Sequence, residues 1–324
     1  MKFSLRTKLA FGAAILAGAG MQAGAWAQPA SVAVTSIVEH PALDAVKDGV
    51  KEALAKAGYT EASGLKWQFQ TAQGNTAIAA QIARKYVGDK PDVIVAISTP
   101  SAQAVVAATK TIPVVYSAIT DPVAAQLVKT LGPSGTNVTG VSDALALEKQ
   151  IELIKQVVPK AKRVGMVYNP GEANSVVVVQ RLRKLLPAAG LSLVEATASR
   201  TVDVGAAARS LIGKVDVIYT NTDNNVVSAY ESLVKVGNDA KIPLIASDTD
   251  SVKRGAIAAL GVNYHDLGVQ TGEMVVKILK GTKPGTIASE TSHKLELYVN
   301  PGAAKKQGVT LSEAFIKSAA KVVQ

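Results

Sequence analysis

"KPDVIVAISTPS", residues 90–101, and "KVDVIYTNTDNN", residues 214–225, decide the fold. Each opens on a lysine and an aspartate, runs through a short β-rich apolar stretch, and ends in small hydroxyl and amide side chains. An apolar run of this length, closed by polar residues, reads as a strand buried on both faces of a parallel sheet. Aligned, the two place Asp92 on Asp216 and Thr99 on Asp223. The match extends outward in both directions. Val32 onward lies on Val164 onward, carrying Gly58 onto Gly190, and "IPVVYSAITDPV" (112–123) lies on "IPLIASDTDSV" (242–252) with one residue dropped. Strands such as "SVAVTSI", "LKWQFQT", "RVGMVYN" and "LSLVEAT" alternate with helical stretches like 42–57 and 75–87, which is the pattern of doubly wound sheets. The fold class expected is α/β, two Rossmann-like lobes of one topology.

Composition bounds the rest. The 324-residue chain contains no cysteine, so burial alone must hold it together, and a mature chain of this length supports two domains. Lys2, Arg6 and Lys8, the apolar run 9–19 and Ala25-Trp26-Ala27 read as a secretory signal over 1–27, cleaved before Gln28. The run is shorter than a membrane anchor needs. With no cysteine to carry a lipid, a soluble protein exported to a bacterial periplasm is expected. Removing the three positive charges of the signal lowers the net charge from +10 to +7, and the remaining basic residues are scattered over helix faces. No basic stripe with interleaved aromatics suggests nucleic-acid binding.

Doubly wound sheets bind ligands beyond the carboxyl ends of their strands. Those ends carry 36–40, Ser98, Thr99 and Ser101, then Tyr116, Thr120 and Asp121 in the first half. In the second half they carry Asn169, Glu172, Asn174 and Ser175, then 220–225, then Ser247 and Asp248. Enzyme chemistry finds little footing there. No GxGxxG follows a strand, "GPSGTN" lacks a phosphate-loop lysine, and there is no nucleophile elbow. His40, His265 and His293 lie in unrelated segments, so no metal or other cofactor is expected; only His40 falls near the cleft. Ser98 or Thr99 should cap its helix, with Pro100 in the first turn, and the free N–H groups there favour a carboxylate. Asp223, at the matching place in the other half, suits an ammonium. Glu172 and Asp248 are further candidates, each equally readable as a cap. A zwitterion such as an amino acid fits this pairing. Tyr116, Tyr168, Tyr219 and Tyr264 offer flat apolar faces for a large or aromatic side chain, and the rims contain no arginine.

"AITDPVAAQLV" (118–128), "NVTGVSD" (137–143), "VGMVYNPGEANS" (164–175), "TNTDNNVVSAYESL" (220–233) and "GVNYHDLGVQTGEMVVKILKG" (261–281) resemble the tryptophan/phenylalanine-type substrate-binding proteins of bacterial ABC importers. The resemblance implies the type I periplasmic binding protein fold, with three crossovers forming a hinge between the lobes. Lobe one would be 28–142 plus about 262–292, and lobe two 143–261 plus about 293–324. It also implies a binding protein, not an enzyme, that captures a small solute by hinge closure and delivers it to a membrane permease and its ATPase. The carried-over pocket is Ser98, Thr99, Thr120, Asp121, the segment from Asn169 to Ser175, Asp223, Ser247 and Asp248. A monomer is expected. Alternatives are a neutral solute such as a sugar or nucleoside, for which Asp223 would accept hydroxyl bonds, a ligand-sensing subunit, or an enzyme using Glu172 or Asp248 as a general base.

Overall fold

The structure, a computed structural model, describes residues 29–324 except 293. The expected signal segment 1–27 with its cleavage point, and His293, lie outside the described residues. The chain first lays down β1 (Ser31–Ser36), α1 (Pro41–Lys56), β2 (Lys66–Thr71), α2 (Thr76–Asp89), β3 (Val93–Ile97), α3 (Thr99–Ala108), β4 (Val114–Ile119) and β5 (Val138–Ser142). It continues with α4 (Leu147–Val157), β6 (Arg163–Tyr168), α5 (Ala173–Leu185), β7 (Ser192–Thr197), α6 (Val204–Ser210), β8 (Val217–Thr220), α7 (Asn224–Ser228), α8 (Tyr230–Ala240), β9 (Leu244–Ala246), α9 (Asp250–Arg254) and β10 (Ala258–Val262). The last elements are α10 (Tyr264–Leu279), β11 (Glu290–Thr291), β12 (Leu295–Val299), α11 (Pro301–Lys306), α12 (Glu313–Lys317) and β13 (Lys321–Val322).

Two sheets result, ordered β11-β5-β4-β3-β1-β2 and β13-β12-β10-β9-β8-β6-β7. Strands β1–β5 and β6–β10 repeat one spatial order and are parallel throughout; β12 adds antiparallel to β10. The chain passes between the sheets after β5, after β10 and between β11 and β12. Every residue of β3 and of β8 is buried, because helices cover both faces of each sheet. The repeated aspartates do the same work in both lobes. Asp92 accepts the Ser31 backbone N–H at 2.7 Å, and Asp216 accepts those of Lys162 and Arg163 at 2.9 and 2.8 Å. Each carboxylate ties the chain entering its central strand to the start of the first strand beside it.

Helix α10 returns to the first lobe and lies against α1. α1 presents Leu43, Val46, Val50 and Leu54 at helical spacing to that core. Two glycines permit the close approach: a Cβ on Gly268 would stand 2.2 Å from the Val46 carbonyl oxygen, and one on Gly49 would stand 2.2 Å from that of His265. Backbone meets backbone there. Among the described residues no helix is long and apolar enough to cross a membrane.

Candidate functional site

The carboxyl ends of the two sheets face each other across a pair of contiguous narrow chambers, which share Thr120, Asp143 and Thr222 as walls. The first lobe lines the first chamber with His40, Ser98, Thr99 and Ala118, and Tyr264 of α10 joins them. The second lobe contributes Asn174, Asn224, Val227 and Asp248. The second chamber adds Leu145, Leu147, Val178, Tyr219, Asn221, Ser247 and Arg181.

Local geometry explains why these groups point inward. Ser98 does not cap α3 as its position suggested; its backbone takes φ 75°, ψ 154° and its hydroxyl bonds nothing in the helix. That conformation, rare outside glycine, costs on the order of 1–3 kcal/mol. Ala118, beside it on the neighbouring strand β4, also has a positive φ, 57°. Two strained residues therefore lie on one cavity wall. His40 caps α1 through Nδ1, which accepts the Leu43 N–H at 3.5 Å. Burial, with the Arg254 charge adding to it, pulls His40 down to about 3. The ring is thus neutral, and its proton sits on Nε2.

Buried polar atoms are ordinarily hydrogen-bonded. Among the described residues, Ser98 Oγ, Thr99 Oγ1, Asp143 Oδ1 and Asn174 Oδ1 are buried without a partner of good geometry, and all four residues line the first chamber. Asn221 Oδ1 and Ser247 Oγ are in the same condition at the second. Asp143 holds its other oxygen on the Tyr264 hydroxyl, 2.7 Å away. Burial pushes its carboxyl above the usual range against the pull of that hydroxyl, and Asp248 adds like-charge repulsion. Asp248 is also pushed up by burial, although Ser251 donates to it through N–H and Oγ at 2.8 and 2.7 Å. One wall is acidic; the facing wall is the N-terminus of α3 with two free hydroxyls.

The expected site residues divide accordingly. Ser98, Thr99, Thr120, Asn174 and Asp248 line the first chamber, and Ser247 the second. Asp223 lines neither. One of its oxygens accepts from the Asn169 backbone and the Ser175 hydroxyl, both at 2.6 Å, and the other caps α7 through Val226 N–H at 3.0 Å. Its lone pairs are committed within its own lobe, so the strand end that suggested an ammonium ligand supplies a strut. Glu172 is buried behind the wall, accepting from Asn174 Nδ2 at 3.0 Å and from Asn224 Nδ2 at 2.5 Å. Asn169 and Ser175 belong to the same network. Ser101 sits one turn inside α3, buried but away from the chambers. Tyr116 points into the sheet layer and bonds Ser289, and Tyr168 bonds Glu195 at 3.0 Å; neither reaches the cavity. Asp121 caps its own turn with Oδ1, and its Oδ2 pairs with Arg181 from the opposite lobe. The rim does carry an arginine, one that α5 projects from its third turn rather than from a loop.

Sequence reasoning placed Thr222 and Asn224 at the strand end 220–225 without singling them out, and passed over Asp143 as a site residue. Asp143 ends "NVTGVSD" just beyond β5, a strand-end position of the same kind as the others. Its signal was placement alone.

A family model described as ABC transporter substrate binding protein matches residues 31–323. A tyrosine-binding protein from Clostridioides difficile (strain R20291) is 42% identical over 275 residues, 85% of this chain and 80% of that one. An ABC domain in complex with L-Trp from Streptococcus pneumonia superposes with a TM-score of 0.88 at 34% identity, over 91% of this chain and all of that one. The ligand-free, open structure of a substrate-binding protein with adhesive properties from Clostridium difficile reaches 0.68 at 41% identity, over 91% and 99%.

Proposed function

The chain belongs to the family of ABC transporter substrate-binding proteins, and on that premise we propose that it captures an amino acid with an aromatic side chain by closing its two lobes upon it. The observation that carries this reading is the convergence of unpartnered buried groups of opposite preference on one interlobe cavity. The α-carboxylate belongs at the N-terminus of α3, against Ser98, Thr99 and the neutral Nε2–H of His40, where partial positive charge favours an anion. The ammonium belongs between Asp143, Asp248 and Asn174 Oδ1, in charge-assisted bonds. The side chain extends into the second chamber, where Leu145, Leu147, Val178 and Tyr219 supply the apolar walls.

Closure follows from differential contact. A ligand bonded to both lobes favours the closed arrangement over the open one by the contacts it makes only there. The relatives that bind tyrosine and L-Trp support an aromatic amino acid over a sugar. In this reading the protein acts as a monomer in the periplasm, performs no chemistry, and hands its ligand to a permease and its ATPase. A thermal-shift screen of the mature protein against L-amino acids, sugars and nucleosides tests it. A ligand at a thousand times its Kd stabilises by about 4 kcal/mol, so aromatic amino acids should raise Tm by several degrees, and a response confined to sugars or nucleosides refutes the assignment.

A further inference from the structure

Glu172 and Asp223 form a buried acidic layer directly behind the cavity wall of the second lobe. Neither touches the chambers, yet Glu172 is bonded to two side chains that do, and Asp223 reaches a third through Ser175. An asparagine amide offers N–H donors on one side and an oxygen acceptor on the other, and a carboxylate accepts only. The partner behind each amide therefore decides which side faces the ligand. Asn174 gives its nitrogen to Glu172 Oε2 at 3.0 Å and to the Thr222 carbonyl at 3.2 Å, which leaves its buried Oδ1 unpartnered at the first chamber. Asn224 gives Glu172 both its backbone N–H and its Nδ2. Asn221 is set at one remove: the Ser175 hydroxyl donates to Asp223 at 2.6 Å, so it accepts from Asn221 Nδ2 at 3.1 Å, and Asn221 Oδ1 is left unpartnered at the second chamber.

We propose that Glu172 and Asp223 are positioning residues that fix these amides with their oxygens toward the cavity, making the wall of lobe two an acceptor surface that admits ligands by their N–H and O–H donors. This rests on the amino-acid reading above and sharpens it. The first chamber then demands the ammonium, and the second favours a side chain with a polar donor at its tip over a purely apolar one.

Asn174 and Asn224 both donate to one oxygen of Glu172, Oε2, and Oε1 faces the Asn169 amide at 3.5 Å. A single buried acceptor therefore holds both cavity amides in place.

The experiment is calorimetric titration of the mature wild type and Glu172→Leu with L-tryptophan and with indole-3-propanoate, which lacks the ammonium. Leucine offers no acceptor to either asparagine, whereas a glutamine carbonyl in the place of Oε2 would still hold both. The ratio of the two affinities should fall at least tenfold in Glu172→Leu, and Asn221→Leu should reduce the preference of the wild type for L-tryptophan or L-tyrosine over L-phenylalanine. An unchanged ratio in a folded Glu172→Leu protein overturns the proposal. Should that variant not fold, Ser175→Ala decides: it cuts the link from Asp223 to Asn221, so the preference for L-tyrosine over L-phenylalanine should fall, and an unchanged preference overturns the proposal. If the wild type binds L-tryptophan normally but these comparisons fail, only the positioning role is lost. If it binds no amino acid, the parent reading is lost with it.

Discussion

Replacing Asp143 by asparagine should separate recognition from folding. The two side chains have one shape, and the Tyr264 hydroxyl, 2.7 Å from Oδ2, can still donate to the amide oxygen. Once it does, the amide nitrogen faces the chamber where Oδ1 is now unpartnered. The ligand ammonium would meet a donor in place of a charged acceptor. A hydrogen bond to a charged group is worth about 1.5–3 kcal/mol, and every 1.4 kcal/mol is about tenfold in Kd. Affinity for an amino acid should fall between about tenfold and about a hundredfold. The ligand-free protein should behave in the opposite sense. Burial already pushes the Asp143 carboxyl up, with Asp248 repelling it, so removing its charge relieves a cost. Tm without ligand should hold or rise, while calorimetry at pH 7.5 shows the loss in binding. A variant that binds with wild-type affinity, or that loses binding only because it melts early, refutes the placement of the ammonium.

Arg181→Ala removes the ion pair that Asp121 makes across the cleft mouth. Partly exposed pairs contribute about 0.2–1 kcal/mol, so Kd should weaken by up to about fivefold, chiefly through faster dissociation in stopped flow, and less so at high salt; slower dissociation would contradict a closing role. Ser98→Gly relieves a φ of 75° and removes an unpartnered hydroxyl. It should raise the ligand-free Tm while weakening ligand binding in calorimetry, and a fall in both would refute the strain assignment. His40 and Glu172 should drive stability in opposite directions with pH. His40, lowered to about 3, stays neutral folded while the unfolded ring charges below about 6.5, so this stability is lost as pH falls. Glu172, raised to about 7, is protonated folded while the unfolded carboxyl remains ionised, so its contribution is lost as pH rises through that value. Denaturant melts should show the wild type losing stability relative to His40→Gln below pH 6.5 and gaining relative to Glu172→Gln between pH 7 and 4.5, each by about 1.4 kcal/mol per pH unit; parallel curves would contradict both shifts.

The fold was legible because its signals are periodic and repeated. Val93 to Ile97 and Val217 to Thr220 announce central strands by unbroken burial, and Asp92 and Asp216 recur because each lobe must fasten the same corner. Strand ends also located the cleft, since topology alone sends Ser98, Thr120, Asn174 and Asp248 to it. What strand ends do not encode is direction. Asp223 and Asp143 occupy equivalent-looking places, and only the partners around them, distant in sequence, decide that one is surrounded by N–H and O–H donors while the other keeps a buried oxygen unpartnered. Tyr116 and Tyr219 differ in the same way, pointing to opposite faces of their sheets. Arg181 escaped notice because α5 projects it over the rim from within a helix.

The central claim is an interlobe site for an aromatic amino acid. Calorimetric titration of the mature protein with L-tyrosine and L-tryptophan, repeated at several temperatures, tests it most directly. Saturable binding of one ligand per chain is expected, with a negative heat-capacity change from burial of the ring. No binding of any L-amino acid, with saturable binding of a sugar or nucleoside by the same folded preparation, would contradict it.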